Sequence, residues 1–419
     1  MEFHNLICVT RRFKNKSGWL LLILLVLFFL PLTVYSTTPP KPGSGAQLPD
    51  SYFEFMQDKS ADNVSAGGWR KKAALAKIER EKFLLERKQR IARGELSPKA
   101  TLTPNIIPLT AQVTGNLILP VIPVTFSNRP ATTTSADLQG ILFGATNDTG
   151  NLTDYYSEVS YGRLQVTGTV FNLVNLPGTD DQYEGVNNGL PGGIKEMIFE
   201  SITQSDVAMD FSQFDNDGPD GIPNSGDDDG YVDLVVFVHP ESGGECSAGS
   251  TNIWSHYRQY KNLLGAPLSP ILATNDASNS AFTSVILIND YTIQPARNCN
   301  DTAAIDIGVF AHETGHALGL PDLYEIRASN DTDTRAVSEG LGFWSLMASG
   351  GWNSTASPAH LDAWSKSELG WVVPDLTTKT TATTYNIPQV ETNQNNSVFE
   401  ISISNSEYYL IENRQAVGF

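Results

Sequence analysis

Apolar positions are continuous only near the start of the chain, from Trp19 to about Val34, behind the cations Arg11, Arg12, Lys14 and Lys16. Cations followed by an apolar run form the pattern of a secretory signal, and the small residues Val34 and Ser36 suit a cut before Thr37. The run is also nearly long enough to span a bilayer as an uncleaved anchor. Either way, the bulk of the chain is expected to be exported. Residues 37–50, with Thr-Thr-Pro-Pro-Lys-Pro-Gly-Ser-Gly, are linker in composition. Residues 68–93 predict a charged helix rich in Arg and Lys. Such a helix either presents a solvated face or docks on a surface of opposite sign.

From residue 116 the pattern becomes that of a globular unit. Leu117–Phe126 is a nearly unbroken apolar run and predicts a strand, with its two prolines favouring an edge or a strand start. Leu152–Val159 and Ile194–Val207 have helical spacing, and Leu164–Asn175 alternates as a strand does. Tyr231–Val238 and Ser284–Ile293 predict buried strands. Ile305–Leu320 predicts a helix, and Pro358–Leu369 another with proline at its start. Strands and helices alternate, which gives an α/β or α+β class. Residues 376–412 turn to Thr-rich alternation and predict a β segment. The chain stops at Phe419, shortly after the strand expected at Tyr408–Glu412, and a longer natural protein is expected.

Charge sharpens this division. The 419 residues carry a net charge of −18, but residues 1–100 hold 17 Lys/Arg against 9 Asp/Glu. The body that follows is therefore strongly acidic. It would repel phosphate backbones, so no nucleic-acid partner is expected. An acidic body suits an exported soluble protein or one that binds cations. Beyond Cys8 the cysteines are Cys246 and Cys299, an even pair that can form one disulfide in an oxidising compartment.

The chemistry concentrates in Ile307-Gly-Val-Phe-Ala-His312-Glu313-Thr-Gly-His316-Ala-Leu-Gly319-Leu-Pro-Asp322. On a helix, His312 and His316 stand one turn apart on the same face. That spacing lets two imidazoles hold one tetrahedral zinc ion. Glu313 stands beside them, where it can take a proton from a metal-activated water. Gly319 can end the helix with a positive φ, and Pro321 prevents its continuation. The chain can then return Asp322 as third ligand, with Glu325, Glu339 and Glu368 as rivals for that place. The bland alternative is a pair of hydrogen-bonded histidines in a core helix. Two further alternatives are an exported adhesin with an unused metal site and a zinc hydrolase of non-peptide substrates.

Several segments in order carry a family resemblance: Asp154-Tyr-Tyr-Ser-Glu-Val-Ser-Tyr-Gly162, Val166–Val170, Ile253-Trp-Ser-His256, His312–Tyr324, Trp344-Ser-Leu-Met-Ala-Ser-Gly350 and His360–Lys366. The chain resembles the immune inhibitor A-type metallopeptidases, exported bacterial zinc proteases akin to the metzincins. The resemblance implies an α+β, metzincin-like peptidase domain with a twisted mixed β-sheet and an active-site helix. A helical pro-segment would precede this domain and the start of a β-rich segment would follow it. The implied boundaries are 1–36 for signal or anchor, 37–115 for the pro-segment, 116–375 for the catalytic domain and 376–419 for the β-rich region. It also implies a secreted endopeptidase made as a latent proenzyme, with protein or peptide substrates and its own pro-segment as partners. Membrane contact would arise only through an uncleaved N-terminal segment. Met347 takes the place of the methionine beneath the metal. No cysteine lies in residues 37–115, so a cysteine switch is excluded.

Asp215-Asn-Asp217-Gly-Pro-Asp220, continuing through Asp227, Asp228 and Asp229 to Asp233, offers many hard oxygen ligands. Like charges this close call for a cation, and calcium is expected, with Asp215, Asp217, Asp229 and Asp233 as ligands. An acidic surface turn without an ion is the alternative. His256 and Tyr324 are candidates for oxyanion stabilisation or for lining the cleft, while His239 and His360 read as structural. Ser349 stands where some metzincins place a tyrosine after the methionine, so the source of oxyanion stabilisation stays open.

Overall fold

A computed structural model of the chain describes residues 36–50, 68–96, 108–144, 149–190, 193–263, 271–327, 337–376, 386–403 and 407–419. The signal or anchor expectation for the first residues falls almost wholly outside them. Among the described residues, no helix is long and apolar enough to cross a membrane.

A mixed sheet organises the α+β body. Its strands are β1 (Gly115–Thr125), β2 (Leu164–Val170), β3 (Val174–Asn175), β4 (Val235–Ser242), β5 (His256–Gln259) and β8 (Asp290–Arg297), in the order β2-β1-β4-β8-β5 with β3 on β1. All pairs are parallel except β5 with β8, so an antiparallel strand forms one edge. A small hairpin, β6 (Leu272–Ala277) with β7 (Val285–Ile288), stands apart. The strand expected over Ser284–Ile293 is thus two strands that break at Asn289.

Both faces of the main sheet are covered, which explains the unbroken apolar run in β1. Leu117, Leu119 and Val121 join one core with α2 (Ser135–Phe143), α3 (Leu152–Val159) and α6 (Ile307–Ala317). Ile122 and Val124 join the opposite core with α5 (Gly193–Ser205), close to the short α4 (Asp180–Glu184).

The prolines of β1 do not place it at an edge. It is paired on both sides, by β2 over Gly115–Val121 and by β4 over Val121–Pro123. The stagger of these ladders explains the exception. Val121 and Thr125 accept from the β2 and β3 side, so odd-numbered positions face that way. Pro123 falls between the end of the β2 ladder and the start of the β3 ladder at Val124. Pro120 faces β4 just before that ladder begins. Neither missing N–H leaves a gap in a ladder.

The charged helix, α1 (Gly68–Ala92), packs on the body. Trp69, Ala73 and Ala76 enter the first core, and Lys77 pairs with Glu368 at 2.6 Å. The last body helix, α7 (Ala363–Glu368), starts later than Pro358 because Asp362 caps it, accepting from Trp364 N and Ser365 N. Beyond it, β9 (Asp375–Leu376), β10 (Val398–Ser402) and β11 (Tyr408–Glu412) form a small sheet.

Candidate active site

Every residue of α6 is buried. The helix fits so deeply because its small residues admit close neighbours. A Cβ on Gly308 would lie 2.3 Å from Gly351 O, and one on Gly315 would lie 2.5 Å from Met347 Sδ. Met347 is itself fully buried beneath the helix. At the C-terminus Gly319 adopts φ +89, Gly319 N donates to His316 O and Leu320 N to Gly315 O. These two bonds form a Schellman turn, which a glycine at this position allows without strain.

That turn also orients a ligand. Leu320 O comes back to accept from His316 Nδ1 at 2.8 Å, and Leu346 O accepts from His312 Nδ1 at 2.7 Å. A carbonyl can only accept, so Nδ1 carries the proton in each ring and Nε2 presents its lone pair. The two Nε2 atoms are 3.1 Å apart, and Asp322 Oδ1 lies 3.1 Å and 3.3 Å from them. Donor atoms around a tetrahedral zinc stand about 3.3 Å apart, given Zn–N bonds of about 2.0–2.1 Å. Acceptors so close repel one another unless a cation or a proton lies between them. His312 expresses the same demand. Burial opposes its protonation, but Asp322, Glu313 and Leu346 O outweigh burial and push its pKa up to about 9. The donor set fits a zinc ion.

Glu313 is fully buried beside these atoms, with Oε2 unpartnered among the described residues. Burial raises its pKa, against the lowering effect of both imidazoles and of a hydrogen bond from Thr38. The rival acids lie elsewhere. Glu325 holds Arg327 and Ser338 N, Glu339 is exposed, and Glu368 holds Lys77.

A segment that reads as linker in the sequence fills the cleft. Thr37 pairs antiparallel with His256 on β5, and Tyr257 N donates to Ser36 O at 3.1 Å. Thr37 O accepts from Tyr324 Oη at 2.7 Å and lies 3.0 Å from His312 Nε2. Thr37 N donates to Asp322 Oδ2 at 3.2 Å, and Thr38 Oγ1 donates to Glu313 Oε1 at 2.6 Å.

With this geometry in view, the comparisons with known proteins are specific. Residues 133–376, more than half of the chain, match the immune inhibitor A peptidase M6 catalytic domain. The chain belongs to this family. It is 31% identical over 210 residues to Immune inhibitor A of Bacillus thuringiensis subsp. alesti, covering 47% of this chain and 28% of that protein. It is 28% identical over 254 residues to the Pre-pro-metalloprotease PrtV of Vibrio cholerae serotype O1 (strain M66-2), covering 55% of this chain and 25% of that protein. The chain thus spans about a quarter of the length of these relatives.

Elsewhere in this M6 family member, Asp215, Asp217 and Asp233 bring their carboxylates within 4.8 Å of one another. Asp215 Oδ1 and Asp217 Oδ1 are buried and unpartnered among the described residues. Burial first, then mutual repulsion, pushes the Asp215 pKa up to about 8. Asp229 is not part of this close trio. Its oxygens accept from Gly68 N at 2.9 Å and Tyr231 N at 3.1 Å, so it anchors α1. Asp233 Oδ2 accepts from Trp69 Nε1 at 2.8 Å, which ties the same helix to the same loop.

His256 is corrected as a cleft side chain. Its ring turns into the body, with Nδ1 on Trp254 O at 2.7 Å and Nε2 on Tyr291 Oη at 3.0 Å, and burial lowers its pKa to about 3. Only its backbone edges the cleft. His239 is buried away from the centre, and His360 pairs with Glu158 at 2.7 Å. Cys246 and Cys299 form a disulfide. It borders a cleft of about 280 Å³ that continues past Lys41. Sequence reasoning missed the carbonyls of Leu320 and Leu346, the indoles of Trp254 and Trp352, and the placement of Thr37 and Thr38. No motif marks a backbone carbonyl, and Thr-Thr-Pro-Pro carries no signal beyond its linker composition.

Proposed function

We propose that this chain is a secreted zinc endopeptidase, made as a latent proenzyme, in which Glu313 activates the attacking water. The observation that carries this is the convergence of His312 Nε2, His316 Nε2 and Asp322 Oδ1 beside the buried, half-satisfied carboxylate of Glu313. These three residues would hold a zinc ion, which would lower the pKa of a water to about 7 and polarise a carbonyl. Glu313 takes the water's proton and delivers it to the departing nitrogen. Tyr324 donates its hydroxyl proton to the scissile carbonyl oxygen, as it does to Thr37 O, and so stabilises the oxyanion. Leu320 O and Leu346 O keep both imidazoles in the ligating tautomer. The buried Met347 under Gly315 supports the metzincin-like assignment.

Latency follows from the occupied cleft. Residues 37–115 are the pro-segment, residues 116–375 the catalytic domain and residues 376–419 the start of a β-rich region, with residues 1–36 directing export as a signal or anchor. While Thr37–Lys41 lies in the cleft, with Thr37 on β5, no substrate reaches Glu313. Calcium at Asp215, Asp217 and Asp233, with Asp229 close by, neutralises the acidic loop. The test is casein cleavage by the purified chain, first nicked by a processing protease, with zinc content measured alongside. Activity should vanish with a zinc chelator and in Glu313→Ala, while that variant keeps its zinc. A folded, zinc-loaded, nicked wild type that cuts neither casein nor a peptide panel would overturn the proposal.

A further inference from the structure

We infer that the cleft is built for extended, proline-bearing strands with one small side chain just after the bond to be cut, and that the indoles of Trp254 and Trp352 position such strands; this rests on the peptidase assignment above. The strand Ser36–Lys41 shows how the cleft grips a chain. Because Thr37 O sits between Tyr324 Oη and His312 Nε2, the Thr37–Thr38 bond occupies the reacting position. Thr38 is then the first residue past that bond, and its N–H donates to Ser255 O at 3.2 Å.

Past Thr38 the grip changes character. Trp254 Nε1 donates to Thr38 O at 2.8 Å, and Trp352 Nε1 donates to Pro39 O at 2.9 Å. The next backbone N–H that the cleft uses is that of Lys41, which donates to Glu245 O at 2.9 Å. An ordinary β-ladder would ask for a backbone donor at position 39 or 40, and proline has none to give. Here side-chain donors reach the carbonyls instead. Proline at the second and third positions therefore loses no hydrogen bond, and its stiffness lowers the ordering cost of an extended strand.

Size is limited at the first position. Thr38 borders a recess formed with Val309, Ala348, Gly351 and Trp352, and the space left there is too narrow for a water molecule. The neighbouring Gly308 cannot make room, since its Cα side meets Gly351 O, with a Cβ placed only 2.3 Å away. The Gly308–Gly351 contact is between backbone atoms, which do not yield by a change of rotamer. A side chain no larger than Thr38 keeps this packing, whereas Leu or Phe needs the lining to move. Larger side chains find space farther on, in the cleft of about 280 Å³ lined by Lys41, Arg297, Phe343 and Trp352. The substrate class is thus unfolded, Pro- and Thr/Ser-rich polypeptide, such as a linker between domains.

Two measurements test this. The full chain, nicked until it cleaves casein, is given a random peptide library and the cut sites are read by mass spectrometry. Small residues directly after the cut should outnumber Leu and Phe by about tenfold or more, with Pro retained at the next two positions. Trp352→Phe and Trp254→Phe should each lower kcat/KM on Pro-bearing peptides by about tenfold. In the intact, metal-free full chain, the same variants should speed amide deuterium exchange at Thr38 and Lys41 while leaving α6 protected. Cuts mainly before Leu or Phe, or unchanged exchange in both variants, would overturn the inference while the peptidase assignment stands. Casein cleavage that no chelator stops, or that survives Glu313→Ala, would instead remove the assignment and the inference with it.

Discussion

The helix centre at His312 and the acidic loop at Asp215 solve one electrostatic problem in two ways. Each gathers buried acceptors that repel unless a cation joins them. At the helix centre, carbonyls hold the outer ring nitrogens and the free lone pairs face a cleft beside Glu313. In the acidic loop, backbone amides and the Trp69 indole hold the outer oxygens, and the inner ones face neighbouring carboxylates. The second cluster has the ammonium groups of Lys71 and Lys72 nearby, and α1, which carries them, covers it. The contrast teaches that convergent ligands alone do not make a reactive site. A titratable group with access to a substrate strand makes the difference.

The sharpest break of this comparison is at the helix centre. Glu313→Ala should reduce casein cleavage by about 10²–10⁴-fold with zinc retained, whereas His316→Ala should lose the metal as well. The measurement is turnover beside metal content per chain. An equal zinc loss in both variants would place Glu313 among the ligands.

At the acidic loop, stability rather than turnover should respond. Asp215 and Asp229 have pKa values raised from 3.8 to about 8 and about 6 by burial and neighbouring carboxylates. The folded chain therefore holds protons there that the unfolded chain releases. Without metal, stability should fall as the pH rises from about 4 to about 8. Calcium should raise the melting temperature more at pH 8 than at pH 5, by an amount equivalent to about 2.7 kcal/mol at a hundredfold excess over its dissociation constant. Melting curves in chelator and in calcium at both pH values check this. The same calcium effect at pH 5 and pH 8 would count against carboxylate ligation.

A smaller change separates the ligands from their support. Gly319→Ala keeps every ligand but strains φ +89 and shifts Leu320 O from His316 Nδ1. Zinc affinity should drop by about tenfold, measured by competition with a chelator, at a cost in stability of about 1 kcal/mol. The smallest effect is expected at Lys77→Ala. Its 2.6 Å pair with Glu368 lies partly in solvent, so denaturant titration should show a loss of no more than about 1 kcal/mol.

The parts legible in the sequence share a short range. The four-residue step between His312 and His316, the glycine stop at Gly319 and the return of Asp322 all lie within one helix and its turn. A run of Arg and Lys marks α1, and the pattern of apolar residues marks α3, α5 and most strands of the main sheet. Boundaries went astray where side chains or ladders acted locally in unforeseen ways. Asp362 caps α7 later than Pro358, and the stagger of β2, β3 and β4 admits two prolines into an interior strand.

By itself, then, the sequence determined the spacing of His312, Glu313 and His316, the α+β alternation and the opposed charges of α1 and the acidic loop. Periodicity and spacing are properties of neighbouring residues, and helix geometry converts them directly into shared faces. Tertiary structure decided which groups complete the centre. Leu346 O lies 34 residues from His312, and Thr38 lies 275 residues from Glu313. It also turned the His256 ring inward and laid Ser36–Lys41 through the cleft, with Ser36 and Thr37 on β5. Such contacts depend on how the sheet and α6 pack, and backbone carbonyls and amides are present at nearly every residue. Only the folded chain selects the few that point into the cleft.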